Sequence, residues 1–444
     1  MSILLQQQYP QLFQFWNELN VKQKDSLLYE IKNIDQALLF KQQQLLKQPQ
    51  ILPQEDYEAC QDFAYSGCVT DQLTGQQLLS QGKVGCIILA GGQGTRLQFD
   101  GPKGVYPISI IKKKSLFQLF AEKTVAASEL AGRPLPLAIM TSGENDQATR
   151  QFFEKNSYFD LEEGQVVFFK QAALPFLNDT GNLFLHSPYQ IACGPNGNGQ
   201  SISEFVKAGV HAQWTLRGVE YLNVILIDNP LADPFDAELV GFHHRQQVQI
   251  TLKGCERKQP YESVGIIVKQ QSKHKVVEYS EMSQSERLAC QPNGQLKHLG
   301  ANLSLFCFSM SFIAQNALNN AVSLPLHKAW KSTWRINAAA QKESLNAWKF
   351  EFFIFEWLAF AQRVAVLLYP RAQCFAPLKN LEGQDTPSHV QKALQEADVR
   401  ALALVSGQPS PTFPFELAAA FHYPTAELKA RWLGKKIASA YVDK

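Results

Sequence analysis

The sequence predicts an α/β fold: a central, mostly parallel sheet flanked by helices. Three observations carry this prediction. Residues 84–90 (Val-Gly-Cys-Ile-Ile-Leu-Ala) form an unbroken apolar run closed by glycines, the pattern of a strand buried on both faces. Short apolar runs of the same kind recur at 135–140, 166–169 and 221–227, the last ending at Asp228. Segments of helical period lie between them, from Ser115 onward and at 147–155 and 203–216, and such alternation implies parallel strands with helices on both faces. Ligands of these sheets sit at the carboxyl ends of the strands.

Taken in order, residues 1–80 read as a polar, helical N-terminal segment, with Phe13, Trp16 and Leu19 and then Leu27, Leu28 and Ile31 at helical spacing. The glutamine-rich stretch 42–50 reads as an exposed helix end. Ser115 with Gln118 forms a capping-box signature ahead of Leu116, Leu119 and Phe120. Residues 265–269 and 276–279 read as a hairpin with 270–275 as its turn. Residues 346–363 read as a long aromatic helix whose Phe350, Phe352, Phe353, Phe355 and Trp357 belong to the core. From about 388 the chain reads as short and irregular, with Pro409, Pro411, Pro414 and Pro424. The organisation expected is an N-terminal helical segment (1–80), a catalytic domain (81–387) and a small C-terminal appendage (388–444).

Composition narrows the function classes. The chain has 444 residues, 45% hydrophobic and 18% charged, an ordinary globular balance. A net charge of +2 argues against nucleic acid or a membrane surface as the main partner. No run of about 18 apolar residues exists, so no membrane-spanning helix is expected, and the N-terminus lacks a signal-peptide pattern. The eight cysteines are scattered without CxxC spacing and read as free thiols in a reducing, cytoplasmic setting. Lys112-Lys113-Lys114 reads as a solvated loop, and His243-His244 as a surface pair without metal spacing.

The most informative segment is Leu89-Ala90-Gly91-Gly92-Gln93-Gly94-Thr95-Arg96-Leu97. Three glycines directly after a strand let backbone N–H groups point into one concavity, and phosphate is the natural guest. Arg96 can add a charge-assisted bond, and Lys103 in Gly101-Pro102-Lys103-Gly104 follows at a distance that lets a second loop reach back. A P-loop is excluded because Thr95-Arg96 stands where Lys-Ser/Thr is needed. A dinucleotide fingerprint is excluded because it needs a glycine near Leu97.

This loop with its Pro-Lys-Gly partner resembles the signature of eukaryotic-type UDP-N-acetylglucosamine pyrophosphorylases. The likeness continues in family order through Phe15-Trp16-Asn17-Glu18-Leu19, Met140-Thr141-Ser142-Gly143, Phe152-Phe153, Phe168-Phe169-Lys170-Gln171, Leu174-Pro175, Asn196-Gly197-Asn198-Gly199, Ile227-Asp228-Asn229, Val277-Glu278-Tyr279, Ala301-Asn302 and Pro377-Leu378-Lys379-Asn380. It covers roughly residues 13 to 380. It implies a Rossmann-like nucleotidyltransferase fold of the GT-A type and the reaction of UTP with a sugar 1-phosphate, most plainly N-acetylglucosamine 1-phosphate. The same chemistry on glucose or galactose 1-phosphate, or a non-catalytic UDP-sugar-binding protein, are the rival readings. The sequence is silent on oligomeric state.

The resemblance also implies roles. Leu89, Ala90, Gly91, Gly92 and Gly94 would hold the nucleotide, and Arg96 and Lys103 the leaving pyrophosphate. Gln171 would read uracil, whose donor and acceptors a side-chain amide can meet, and Gly197 would touch the nucleotide. Asn198, Glu278, Tyr279 and Asn302 would meet the sugar phosphate and the sugar. Lys349 and Lys379 would reach the phosphates. Asp228, at a strand end, would bind Mg²⁺ (or Mn²⁺), a hard ion that takes oxygen ligands, unless it is a turn residue before Pro230. Asp233 is a second, weaker candidate ligand. Departures from the pattern are Gln98 and Gln200 for glycines, Asn196 for an aspartate, Lys170 for a glutamine and Glu356 for an aspartate, together with the unmatched C-terminal part.

Overall fold

The structure is a computed structural model that describes residues 2–48 and 57–444. The chain divides into two compact units. The larger comprises Pro53–Lys170, Ser201–Val322 and Phe355–Lys444. The smaller comprises Met1–Leu52, Gln171–Gln200 and Ser323–Ile354, so the boundaries drawn by compactness fall elsewhere than at 80 and 387.

The larger unit is built on a ten-stranded sheet of β1 (Phe63–Tyr65), β2 (Val84–Leu89), β3 (Leu137–Thr141), β4 (Val166–Lys170), β5 (Tyr221–Leu226), β6 (Ile250–Glu256), β7 (Gly265–Gln270), β8 (Lys273–Val277), β9 (Gly300–Ser309) and β10 (Val364–Leu368). Its order is β1-β10-β6-β9-β5-β2-β3-β4, with β7 beside β9 and β8 beside β7. β5, β2, β3 and β4 run parallel, whereas β9 is antiparallel to β5 and β6. The sheet is mixed and mostly parallel, as expected. β2 lies between β5 and β3, so the strand order reverses around it, and its carboxyl end is where such a sheet opens a ligand crevice. Val84, Cys86, Ile87 and Ile88 are all fully buried, which is why the run carries no polar residue.

The helix Leu116–Ala131 starts on Ser115, whose hydroxyl accepts from Gln118 N at 3.1 Å, and stops at Gly132 in the left-handed region. Gln118 does not complete a reciprocal box; its amide goes to Glu122 at 2.9 Å. The helix expected over 203–216 is two, Ser201–Lys207 and Val210–Leu216, broken at Gly209 with φ 76°. The hairpin turn is only Gln271-Ser272, both at positive φ (50° and 63°), so β7 and β8 are longer on the turn side than read, and Glu278 and Tyr279 lie beyond β8. The N-terminal segment is not wholly helical, because Phe63–Tyr65 pairs with Val366–Leu368 as the sheet edge. The C-terminal part opens with a twenty-residue helix, Pro387–Ser406, starting on Pro387 and ending at Gly407 in the left-handed region. Those two residues were its readable signals; the later prolines masked them.

In the smaller unit the helices Val21–Lys32 and Gln36–Lys47 meet the other two stretches of chain. Glu30 accepts from Ile191 N at 2.8 Å, and Lys41 donates to Leu324 O at 3.1 Å. Gln42 is fully buried and donates to Pro175 O at 3.1 Å, so only the last part, Lys47 and Gln48, is an exposed helix end, and residues 49 and 50 lie outside the described ones. Residues 346–363 do not form a helix. Lys342–Glu351 is a strand paired antiparallel with His327–Ile336, and Ile354–Phe360 is a 3₁₀ turn. Cross-strand pairing decides this: Trp330 and Trp348 stand opposite each other with ring centroids 4.8 Å apart. Phe350, Phe352, Phe355 and Trp357 are buried, as read.

Candidate active site

Two adjacent parallel strands deliver the first groups. Leu89 of β2 pairs in register with Leu226 of β5, so the loop at 90–97 and Asp228 leave the sheet at the same edge. Gly94 N donates to Gly101 O at 3.0 Å and Lys103 N to Gly92 O at 3.2 Å, folding Gly101-Pro102-Lys103 back along the glycine loop. The N–H groups of Gly91, Gly92 and Gln93 make no hydrogen bond among the described residues, as amides held for an anion would not. Arg96 is exposed and makes no ion pair among the described residues. Gln98, where the resembling family has glycine, sits at φ 49°, ψ 35°. The conformation survives the substitution, at a cost of about 1 kcal/mol.

Lys103 Nζ stands 3.4 Å from Asp228 Oδ2, both side chains mostly buried. Asp228 Oδ1 is buried with no hydrogen-bond partner, an open oxygen ligand facing a cationic neighbourhood. The segment of Lys379 is tied to the same place. Asp228 O accepts from Leu378 N at 2.7 Å, and the Asn229 side chain bonds Cys374 O at 2.8 Å and Ala376 N at 3.0 Å. The Lys379 ammonium itself lies 3.7 Å from Asp385 Oδ2. Beneath the turn, half-buried Lys123 donates to Pro230 O at 2.6 Å and Ala232 O at 2.9 Å, and burial lowers it to about 8. Asp233 does not suit the metal role suggested for it. It is half-buried, accepts from Phe235 N and from the Tyr423 hydroxyl, and burial together with Asp236 holds its carboxyl above the usual range.

Asn302 is buried on β9, in register with Gly254 of β6 and Gly265 of β7, and its Oδ1 accepts from Ser304 N at 3.1 Å. The ladder shifts register here and Ser304 takes φ 54°, an irregularity of the sort that re-aims a side chain. Glu278 and Tyr279 follow β8 directly, and Arg287 lies over the Tyr279 ring at 5.6 Å.

The smaller unit holds the remaining candidates. Residues 173–175 pair antiparallel with 193–195, a register that carries Gln171 towards Gly197. The loop Asn196-Gly197-Asn198-Gly199 is laid along 351–354: Phe352 N donates to Asn196 O and Gly199 N to Phe352 O, both at 2.8 Å. A Cβ at Gly197 would lie 2.4 Å from Phe352 O, and φ there is +84°, so glycine is required on both counts. Asn198 Oδ1 accepts from Ile354 N at 2.9 Å, which holds the loop and leaves its Nδ2 donors for a ligand. The two departures Asn196 and Gln200 meet each other, their amides 2.7 Å apart. Lys349 lies on a strand, not a helix, with its ammonium 2.7 Å from Glu351 Oε1.

Sequence reasoning missed Asn145. It is fully buried, its Nδ2 donates to Ala90 O at 2.9 Å and Gly92 O at 3.3 Å, and its Oδ1 accepts from Ser142 N at 2.8 Å. The signal was an asparagine just after the strand that neighbours β2. Two bland readings hold only in part: Lys112, Lys113 and His244 are exposed, but Lys114 and His243 are not. Lys114 is buried against Glu122 at 2.6 Å, and His243 is buried between Thr251 and Ser309, lowered to about 3 chiefly by that burial.

Residues 32–385 match the model of the UTP–glucose-1-phosphate uridylyltransferase family. The chain belongs to that family. Among UTP–glucose-1-phosphate uridylyltransferase relatives, UDP-N-acetylglucosamine diphosphorylase 1 of Arabidopsis thaliana is 31% identical over 401 residues, 85% of this chain and 78% of the relative. UDP-N-acetylglucosamine pyrophosphorylase of Saccharomyces cerevisiae is 31% identical over 319 residues, 70% of this chain and 67% of the relative. The structure of uridine diphosphate N-acetylglucosamine pyrophosphorylase from Trypanosoma brucei superposes with a TM-score of 0.77 at 25% identity, covering 96% of this chain and 93% of that one. No helix among the described residues is long and apolar enough to cross a membrane.

Proposed function

We propose that this member of the UTP–glucose-1-phosphate uridylyltransferase family is a UTP:N-acetylglucosamine-1-phosphate uridylyltransferase. The observation that carries the reading is the pairing of unsatisfied loop amides with Asp228 and Lys103 at one edge of register-matched strands. The relatives' names support the sugar. In the reaction an oxygen of the sugar 1-phosphate bonds to the α-phosphorus of UTP, and the bond from that phosphorus to the bridging oxygen breaks, releasing pyrophosphate.

The 91–93 amides bind phosphate oxygens, and Lys103 and Arg96 stabilise the negative charge that grows on pyrophosphate. Lys379 adds a second lysine beside the Asp228 turn, and Lys349 is a further lysine proposed for the phosphates. Gln171 reads the base with Gly197 beside it, while Asn198, Glu278, Tyr279 and Asn302 serve the sugar phosphate and the sugar. Asp228, with its unpartnered Oδ1, fits a hard divalent ion and would hold Mg²⁺ or Mn²⁺. Such an ion, when bound, neutralises phosphate charge. Eight free thiols fit a cytoplasmic setting.

The test is pyrophosphate release from UTP across N-acetylglucosamine, glucose and galactose 1-phosphates. Highest kcat/KM with the first is expected. Preference for glucose 1-phosphate would move the substrate, and no release with any of them would reduce the chain to a binding protein.

A further inference from the structure

A second cluster of metal-ligating side chains lies away from the nucleotide groups. Cys60 and Asp62 precede β1, and His274 belongs to β8, opposite Lys269 of β7. The chain is steered here by backbone pairing, since Glu58 and Lys269 exchange two hydrogen bonds, at 2.9 and 3.0 Å. One ligand atom from each of Cys60, Asp62 and His274 falls within 4.8 Å of the other two. Cys60 Sγ is 3.3 Å from Asp62 Oδ1, and His274 Nε2 is 3.4 Å from Asp62 Oδ2. A tetrahedral zinc with bonds of about 2.0–2.3 Å sets ligand–ligand edges of roughly 3.3–3.6 Å, so atoms that lie within 4.8 Å of one another have to close by up to about 1.5 Å on binding.

The second observation is His274 itself. Its side chain is 10% exposed, and Nε2 is buried without a hydrogen-bond partner although it faces Asp62. The contact with Asp62 Oδ2 at 3.4 Å is too poorly made to count as a hydrogen bond, and ligation would replace it. Cys60 is also buried, and its thiol donates to Asp62 Oδ1. Lys269 already places an ammonium 2.8 Å from Asp62 Oδ2, so the position attracts positive charge.

We propose that Cys60, Asp62 and His274 form a site for a borderline-soft divalent ion of the Zn²⁺ class, with a water as fourth ligand. Sulfur, imidazole and carboxylate together select such an ion over Mg²⁺ or Ca²⁺, which take oxygen alone. Binding expels the thiol proton to solvent and displaces Lys269 from Asp62. The bound ion fastens the 60–62 segment to the β7–β8 hairpin, at the opposite end of β8 from Glu278. Its role is structural and does not depend on the nucleotidyl reaction.

The test is a Co²⁺ titration of the full chain in excess Mg²⁺, which occupies carboxylate-only sites. One equivalent of Co²⁺ should raise a thiolate-to-cobalt charge-transfer band, and Zn²⁺ should abolish it. Cys60→Ser should remove the band, and His274→Ala should weaken Co²⁺ binding at least ~10-fold. Lys269→Met should tighten binding roughly two- to five-fold by removing a competing charge. No band in the wild type, or a band unchanged by either ligand substitution, overturns the site. Unchanged affinity in Lys269→Met overturns Asp62 as a ligand.

Discussion

Replacing Asn145 with alanine tests how the glycine loop is held. The substitution removes three contacts from a fully buried side chain: one to Ala90 O, one to Gly92 O and one from Ser142 N. Gly92 O keeps Lys103 N at 3.2 Å, so its loss is minor. Two well-made bonds disappear at about 1 kcal/mol each, and leaving the Ser142 N–H without Asn145 adds roughly 1–2 kcal/mol. Asn145→Ala should therefore cost about 3–4 kcal/mol in urea unfolding. Asn145→Asp should be no better, because it turns an oxygen towards two carbonyls. Catalysis should suffer as well. A loop displaced by some tenths of an ångström aims its amides past the phosphate, so kcat should fall roughly 10- to 100-fold, with a smaller change in KM for the sugar 1-phosphate. The assays are a urea midpoint and pyrophosphate release under saturating UTP. A stability loss with kcat intact would refute the positioning role, and a variant unchanged in both would refute the hydrogen-bond geometry.

Three further outcomes follow from the same structure. Asp228→Asn should raise the Mg²⁺ concentration for half-maximal rate by ~10-fold or more, with wild type inactive in EDTA; a variant that titrates like wild type would remove Asp228 as the ligand. Gln98→Gly should stabilise the chain by about 0.5–1 kcal/mol, because φ 49° suits glycine, and a destabilised variant would show that the Gln98 side chain has a role of its own. Lys123 drops from 10.5 to about 8 on folding, so between those values the unfolded chain binds more protons and stability rises with pH. That rise is about 3 kcal/mol at most, and Lys123→Met should lack it in denaturation compared at pH ~7.5 and ~10.

The parts of the fold legible in the sequence were those whose physics is local. The β2 run and its glycines are legible because a strand buried on both faces tolerates no polar residue, and because closely spaced glycines have few other uses. Asp228 was legible as the end of such a run. Residues 346–363 were misread because their aromatic spacing satisfies helical and alternating patterns alike, and the arbiter, Trp330 opposite Trp348, lies outside the window. Asn145 was invisible for a related reason: its partners depend on β3 lying beside β2, which is strand order and not composition. Lys114 and His243 looked like surface groups until distant elements, carrying Glu416 and Ser309, closed over them.

The threefold origin of the smaller unit has a consequence for the chain's birth. Its first stretch ends by residue 52, yet its last ends at Ile354. A ribosome adding about 5–20 residues per second needs roughly 15–60 s to make the ~300 residues between. Within that interval the partners of Gln42, Glu30 and Lys41, which are Pro175, Ile191 and Leu324, emerge in turn, the last only near its end. Leu12, Leu27 and Ile31, buried at the end, meanwhile remain open to solvent or to a chaperone. Nascent chains arrested before 354 should therefore be held by chaperones longer than those arrested after it. No single cut in the finished protein can release this unit in one piece.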